Sequence, residues 1–220
     1  MELKRLLTMI SSNMIELTIP TELLNEFIEL ANNGQKTIMK DLSIIEEQNK
    51  IKELASRIVK NNSYHYGNIF SHTEPFTIHS DISNVKQTIL LIPIKAHYSQ
   101  KFIVFDQTVN LNESISWIYN IYDDKTNQEL KDMYYETAKR TRPYDTPEVV
   151  GCIDAPISDE LFEHLPFSKD LYYGLTGKIW DYIPGKALLF NATALHATGR
   201  MVEPKIGCTI QFKKPIADLI

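Results

Sequence analysis

At 220 residues, 43% of them hydrophobic, the chain is long enough to bury one sizeable core and too apolar for a disordered segment. A formal net charge of −5 speaks against nucleic acid as a general partner, because a phosphate-binding surface carries a basic excess. The two cysteines, Cys152 and Cys208, form neither a CxxC pair nor a disulfide framework, and no apolar run approaches a bilayer's thickness.

The start, Met1-Glu2-Leu3-Lys4-Arg5, has no long apolar stretch or small-residue cleavage site, so a cytoplasmic protein is expected. The first third reads as helical. Thr21 is placed to cap a helix whose apolar positions, Leu23, Leu24, Phe27, Ile28 and Ala31, share one face, and Asn32-Asn33-Gly34 stops it. A longer helix is expected from about Thr37 to Val59, with Ile38, Leu42, Ile45, Ile51, Leu54, Ala55 and Ile58 as its apolar set. Residues 1–63 are therefore expected to form a mainly helical flank.

From Tyr64 the texture becomes strand-like. Phe76–Asp81, Thr88–Lys95 and Lys101–Asp106 are short and rich in β-branched or aromatic residues. Pro93 marks the second as an edge or bulged strand. Residues 107–166 read as an irregular insertion, with a helical turn around Trp117, a helix from Gln128 to Lys139 and a loop at Arg142–Pro147. The basic cluster Lys139-Arg140-Thr141-Arg142 reads as solvated surface. Strands return at Lys178–Tyr182, Ala187–Asn191 and Ile206–Phe212. In the last, Ile206, Cys208, Ile210 and Phe212 alternate with Gly207, Thr209 and Gln211. The expected fold is one domain, mainly β, its core at 64–220 a two-sheet sandwich or jelly roll flanked by helices.

Side chains two apart on a strand point the same way, so His79 and Asp81 share one face of Phe76–Asp81 and Ile78 takes the other. Far along the chain, the turn Pro184-Gly185 launches the apolar run Ala187–Phe190, which leads on to His196. Two imidazoles and a carboxylate can hold one face of an octahedral Fe(II) and leave the other open. Lys205, opening the last strand, is a cation suited to a dicarboxylic co-substrate, one end of which chelates the metal while the other pairs with the ammonium. Arg200 and Lys95 compete for that role, and Thr88 is a further candidate to bond the co-substrate.

The stretches FTIHSD, TILLIPIKAHYSQKFIVFDQ, LPFSKDLYYGL, IWDYIPGKALLFNATALHATGR and KIGCTIQF, running from about residue 74 to 214, carry a resemblance to a family. The chain resembles the Fe(II)/2-oxoglutarate-dependent oxygenases, whose pattern is His-x-Asp, a long gap, a distal His and a downstream Arg or Lys. The resemblance implies a double-stranded β-helix (jelly roll, cupin-like) core. It makes His79, Asp81 and His196 the iron ligands and Lys205 the partner of the far carboxylate of 2-oxoglutarate, with O2 as co-substrate and succinate and CO2 as co-products. The family's basic residue is more often Arg. Asp81 fills the position that a halogenase leaves open, which favours hydroxylation or desaturation.

His72-Thr73-Glu74 has a similar form but is followed by Pro75, with no apolar strand leading into it, and reads as a decoy. His65 and His97 have no partner spacing. Tyr64, Tyr66, Tyr98 and Trp180 read as core or pocket wall. Trp117, Tyr119, Tyr122, Tyr134, Tyr135, Arg140 and Arg142 are candidates to meet a small-molecule, amino-acid or peptide substrate. Two other classes remain open: a metal-dependent cupin isomerase or epimerase, and a non-catalytic jelly-roll binding module. Oligomeric state is not readable.

Overall fold

A computed structural model describes residues 7–11, 14–34, 42–60, 63–73, 75, 78–81, 87–110, 143–145, 149–166 and 169–220. In chain order its elements are β1 (Leu7–Ser11), β2 (Met14–Thr18), α1 (Thr21–Gly34), α2 (Leu42–Ile58), β3 (Tyr64–His72), β4 (Thr88–Lys95), β5 (Lys101–Val109), β6 (Val149–Val150), β7 (Gly177–Asp181), β8 (Lys186–Asn191), β9 (Ala194–Thr198) and β10 (Lys205–Phe212). A short helical turn, Asp159–Phe162, falls between β6 and β7.

The strands form two antiparallel sheets. The larger runs β1-β2-β8-β4-β10-β3. The smaller is built on β5, which pairs with β6, β7 and β9, while a bridge between His79 and His196 extends it beyond β9. From β3 onward the chain passes back and forth between the sheets, with β5 and β7 both in the smaller one. This is the jelly-roll, or double-stranded β-helix, arrangement.

Alternation along the strands divides the apolar residues among three cores. Ile210, Phe212 and Cys208 of β10, Leu90 and Ile92 of β4, and Ala187 and Leu189 of β8 back onto α1 and α2. The helices answer with one stripe each at helical spacing: Leu23, Phe27 and Ala31 on α1, and Ile51, Leu54, Ala55 and Ile58 on α2. Ile89, Leu91, Leu188 and Phe190 point the other way and meet Phe102, Val104, Trp180 and Tyr182 between the sheets. The outer face of the smaller sheet, including Ile103, Phe105, Leu195 and Ala197, is covered by Ile157, Leu161, Leu165, Leu171, Tyr172 and Leu175.

Both expected helices form, α2 beginning at Leu42; residues 35–41, where its start was expected, lie outside the described residues. The helical reading of the first third is corrected by β1 and β2. β2 is five residues long, with Ile15 and Leu17 on one face and Met14, Glu16 and Thr18 on the other. It is held by pairing with β8, whose place in the chain is remote, so no local pattern announces it. β4 is a central strand, not an edge. Pairing with β8 ends at Leu91, and the register with β10 slips beside Pro93, between Ile206 and Gly207, so the proline sits at a bulge. The segments expected around Trp117 and from Gln128 to Lys139 lie outside the described residues, as do Arg140 and Arg142.

The helical layer is a structural part of the sandwich, so Phe27→Ala, which empties a fully buried position, is expected to cost about 3–5 kcal/mol. Denaturant unfolding of the variant measures this; a loss below about 1 kcal/mol would show that the layer is loosely packed.

Candidate metal centre

β9 carries His196 into the space between the sheets, because Leu195 and Ala197 point outward into the covering layer. The segment bearing His79 runs alongside. The His79 amide donates to the His196 carbonyl at 3.0 Å and the His196 amide returns the bond to His79 at 2.8 Å. Residues paired in this way are directly opposite, and their side chains leave on the same face. The two rings stand 4.1 Å apart, centroid to centroid. Ile78 is buried in the outer core, which turns His79 inward; of the expected strand Phe76–Asp81, the described residues 78–81 form only the single bridge at His79, and Asp81 follows it outside any strand.

The Asp81 carboxylate completes the set. Its Oδ1 is 4.0 Å from His79 Nε2 and its Oδ2 is 3.7 Å from His196 Nε2. All three ligand atoms lie within 4.8 Å of one another. These separations are too long for hydrogen bonds and short enough for the three groups to share one ion. The His196 ring contacts the Ala194 carbonyl through Nδ1 at 3.0 Å. A carbonyl only accepts, so Nδ1 carries the proton and Nε2 keeps its lone pair toward Asp81. Burial, with His79 second, holds the His196 pKa down to about 4, so the ring is neutral near pH 7, as a metal ligand must be. Phe102 and Phe190 flank it and make that wall apolar.

Lys205 is also enclosed, at 2% exposure. Its Nζ donates to Thr198 Oγ1 at 3.0 Å and stands 4.6 Å from the centre of the Tyr182 ring and 5.9 Å from that of Phe70. Among the described residues no carboxylate pairs with it. Thr198 is two residues beyond His196 on β9 and so faces the same interior; the cation thus belongs to the same cavity as the triad. Burial pushes the Lys205 pKa down to about 7. A carboxylate beside the ammonium would act in the opposite direction and restore its charge. Gly207, next but one on β10, makes room here: a Cβ would lie 2.0 Å from Tyr182 Oη and 2.6 Å from Phe70 Cζ.

The other candidate cations lie elsewhere. Arg200 is exposed, and its Nε donates to the Leu165 carbonyl at 2.8 Å. Lys95 is exposed at the end of β4. Thr88 is buried at the opposite end of that strand from Lys95, and its hydroxyl donates to the Lys214 carbonyl at 2.7 Å. His65 is exposed, and His97 bonds Ser99. Tyr66 and Tyr98 are exposed, Tyr64 bonds Gln48, and Trp180 is buried with its Nε1 donating to Glu16. Glu74 lies outside the described residues. His72 is the last residue of a full strand, which the sequence reading did not foresee, and it stands in register with Lys205. Thr198, Tyr182 and Phe70 were missed as parts of the site. The i, i+2 parity from His196 would have found Thr198; the two aromatics enter from other strands and had no local signal.

No family model and no curated protein matches the chain. Solved structures of similar shape include a Pseudomonas putida prolyl-4-hydroxylase, at TM-score 0.45 and 6% identity over 92% of this chain and 86% of that one. Another is an N-substituted L-amino acid dioxygenase from Burkholderia ambifaria, at 0.43 and 12% over 90% and 81%; it is also known in complex with alpha-ketoglutarate. A third is the epimerase SnoN, in complex with Fe3+, alpha-ketoglutarate and nogalamycin RO, at 0.46 and 8% over 92% and 79%. Likeness at this level carries no functional weight, and the chemistry rests on the side chains.

The buried lysine has a signature in the metal-free protein. Its pKa falls from 10.5 when unfolded to about 7 when folded, so between those values the unfolded chain holds more protons and stability rises with pH. Lys205→Met removes this contribution. The wild type is expected to gain stability on the variant as pH rises from 7 toward 10, in paired thermal melts; a constant gap would refute the buried charge.

Proposed function

We propose that this protein is an Fe(II)- and 2-oxoglutarate-dependent dioxygenase that hydroxylates a carbon of a small molecule, amino acid or peptide. The observation that carries this reading is the pairing of a facial His-Asp-His set with a buried lysine that shares its cavity and has no carboxylate partner among the described residues. A metal site that works without a dicarboxylic co-substrate has no use for such a cation. A dicarboxylic co-substrate, anchored on the metal at one end, does.

The donor set fits the metal. Two neutral imidazole nitrogens and one carboxylate are the ligands that suit non-haem Fe(II), and the His196 tautomer is already the binding one. Bound there with 2-oxoglutarate, Fe(II) supplies the reductive activation of O2 in which the oxo acid leaves as succinate and CO2 and a substrate C–H becomes C–OH. The rest is the chain's own work. His79, Asp81 and His196 hold the ion. The Ala194 carbonyl fixes the orientation of one ligand. Lys205, steered by Thr198, receives the far carboxylate. Phe102 and Phe190 keep water from the His196 side, which protects a reactive centre from side reactions. Asp81 occupies the third protein position, so no place is reserved for a halide, and this supports hydroxyl transfer over halogenation.

Anaerobic titration of the metal-free protein with Fe(II) and then 2-oxoglutarate is expected to raise a metal-to-ligand charge-transfer band in the visible spectrum. Under air, succinate release is expected from the wild type and not from His79→Ala or His196→Ala. Full activity in either variant would overturn the assignment. Turnover of a substrate under nitrogen, without 2-oxoglutarate, would move the site to the isomerase class.

A further inference from the structure

We propose that His72 is a second donor to the far carboxylate of the 2-oxo acid, sharing it with Lys205; this rests on the function proposed above. His72 closes β3, the edge strand of the larger sheet, and lies directly opposite Lys205 in the β3–β10 register. Opposed residues of an antiparallel pair project from the same face, with Cβ atoms about 5 Å apart. That face is the inner one, since Lys205 reaches Thr198 of the other sheet.

Phe70, two residues earlier and so on the same face, links the pair. Its ring stacks on the His72 imidazole at 4.5 Å and lies 5.9 Å from Lys205 Nζ. The imidazole is therefore stacked on the same ring that faces the ammonium. Burial, then Lys205, then His79 hold the His72 pKa down to about 4. A neutral imidazole offers one N–H and adds no repulsion to the cation beside it.

The chemistry calls for such a group. An ammonium has three N–H donors, and Lys205 directs one at Thr198. A carboxylate presents about four lone-pair sites, and in a desolvated pocket each that goes unmet weakens binding. His72 supplies a donor from the sheet that already carries Lys205. Packing against Phe70 alone would make no distinction between histidine and an apolar ring of like size, and the experiment turns on that difference.

The probes are 2-oxoglutarate and 2-oxobutyrate, which lacks the far carboxylate, each titrated anaerobically into the Fe(II)-loaded protein and followed by the charge-transfer band. His72→Phe, which preserves the stack, is expected to weaken 2-oxoglutarate about tenfold or more, as for a lost hydrogen bond to a charged group. It should leave Fe(II) and 2-oxobutyrate affinities unchanged, and His72→Gln, which retains an N–H donor, should recover most of the loss. Equal 2-oxoglutarate affinity in the wild type and His72→Phe, or equal weakening of both oxo acids, overturns the role. If the phenylalanine variant does not fold, His72→Asn, smaller than histidine, and His72→Leu, which has no donor, provide the same comparison. A wild type that develops no band with 2-oxoglutarate overturns the proposed function itself, whereas a normal band unmoved by these changes overturns only the part given to His72.

Discussion

Two backbone hydrogen bonds, exchanged between His79 and His196, set the geometry of the whole site. They join segments from opposite ends of the β core and make them neighbours in one sheet. Since side-chain direction alternates with every residue, the pair is tolerant of neither insertion nor deletion nearby: a slip of one residue would send an imidazole into the outer apolar layer. The bridge depends in turn on β9, which is fully buried and tied to β5. Asp81 follows two residues after this bridge, outside any strand, and from there its carboxylate faces both imidazoles.

The second constraint is electrostatic. Enclosing Lys205 between Tyr182, Phe70 and Thr198 removes it from water without giving it a counter-charge among the described residues, an arrangement that disfavours the folded state unless something anionic enters. The fold can hold it because β10 is anchored on its other face. Cys208, Ile210 and Phe212 are locked into the helix-backed core, and β3 and β4 flank the strand on both sides. The apolar burial by α1 and α2 thus stabilises a cation that those helices never touch.

Much of this was legible in the sequence, and the pattern of what was not is instructive. Period-two alternation foretold which face of β10 would be buried and that His79 and Asp81 would share a side. The apolar stripes foretold α1 and α2. Each of these signals is local. The hairpin β1–β2 was not legible, because its place is set by β8, and Pro93 left β4 as an edge or a bulged strand, of which the bulge is what forms, since a proline says that one amide is missing and not where its partner strand ends. The same limit applies to the site. The donors could be nominated from spacing and resemblance, whereas Thr198, Tyr182 and Phe70 gather around Lys205 only through register and packing. His72 was set aside because the segment before it did not read as a strand; it is β3, whose inner positions include the exposed Tyr66 and Asn68 and so hide the usual apolar alternation.

The separation of the three cores has one more consequence. Along β9, residues that face inward hold chemistry and residues that face outward hold the covering layer, and the two sets share a backbone but no side-chain contacts by position. The covering side chains Ile157, Leu161, Leu165, Leu171, Tyr172 and Leu175 can therefore be exchanged for others without altering a donor atom, provided that Leu195 and Ala197 still find apolar partners. A scaffold arranged in this way lets selection rewrite one surface while the reaction centre is inherited intact.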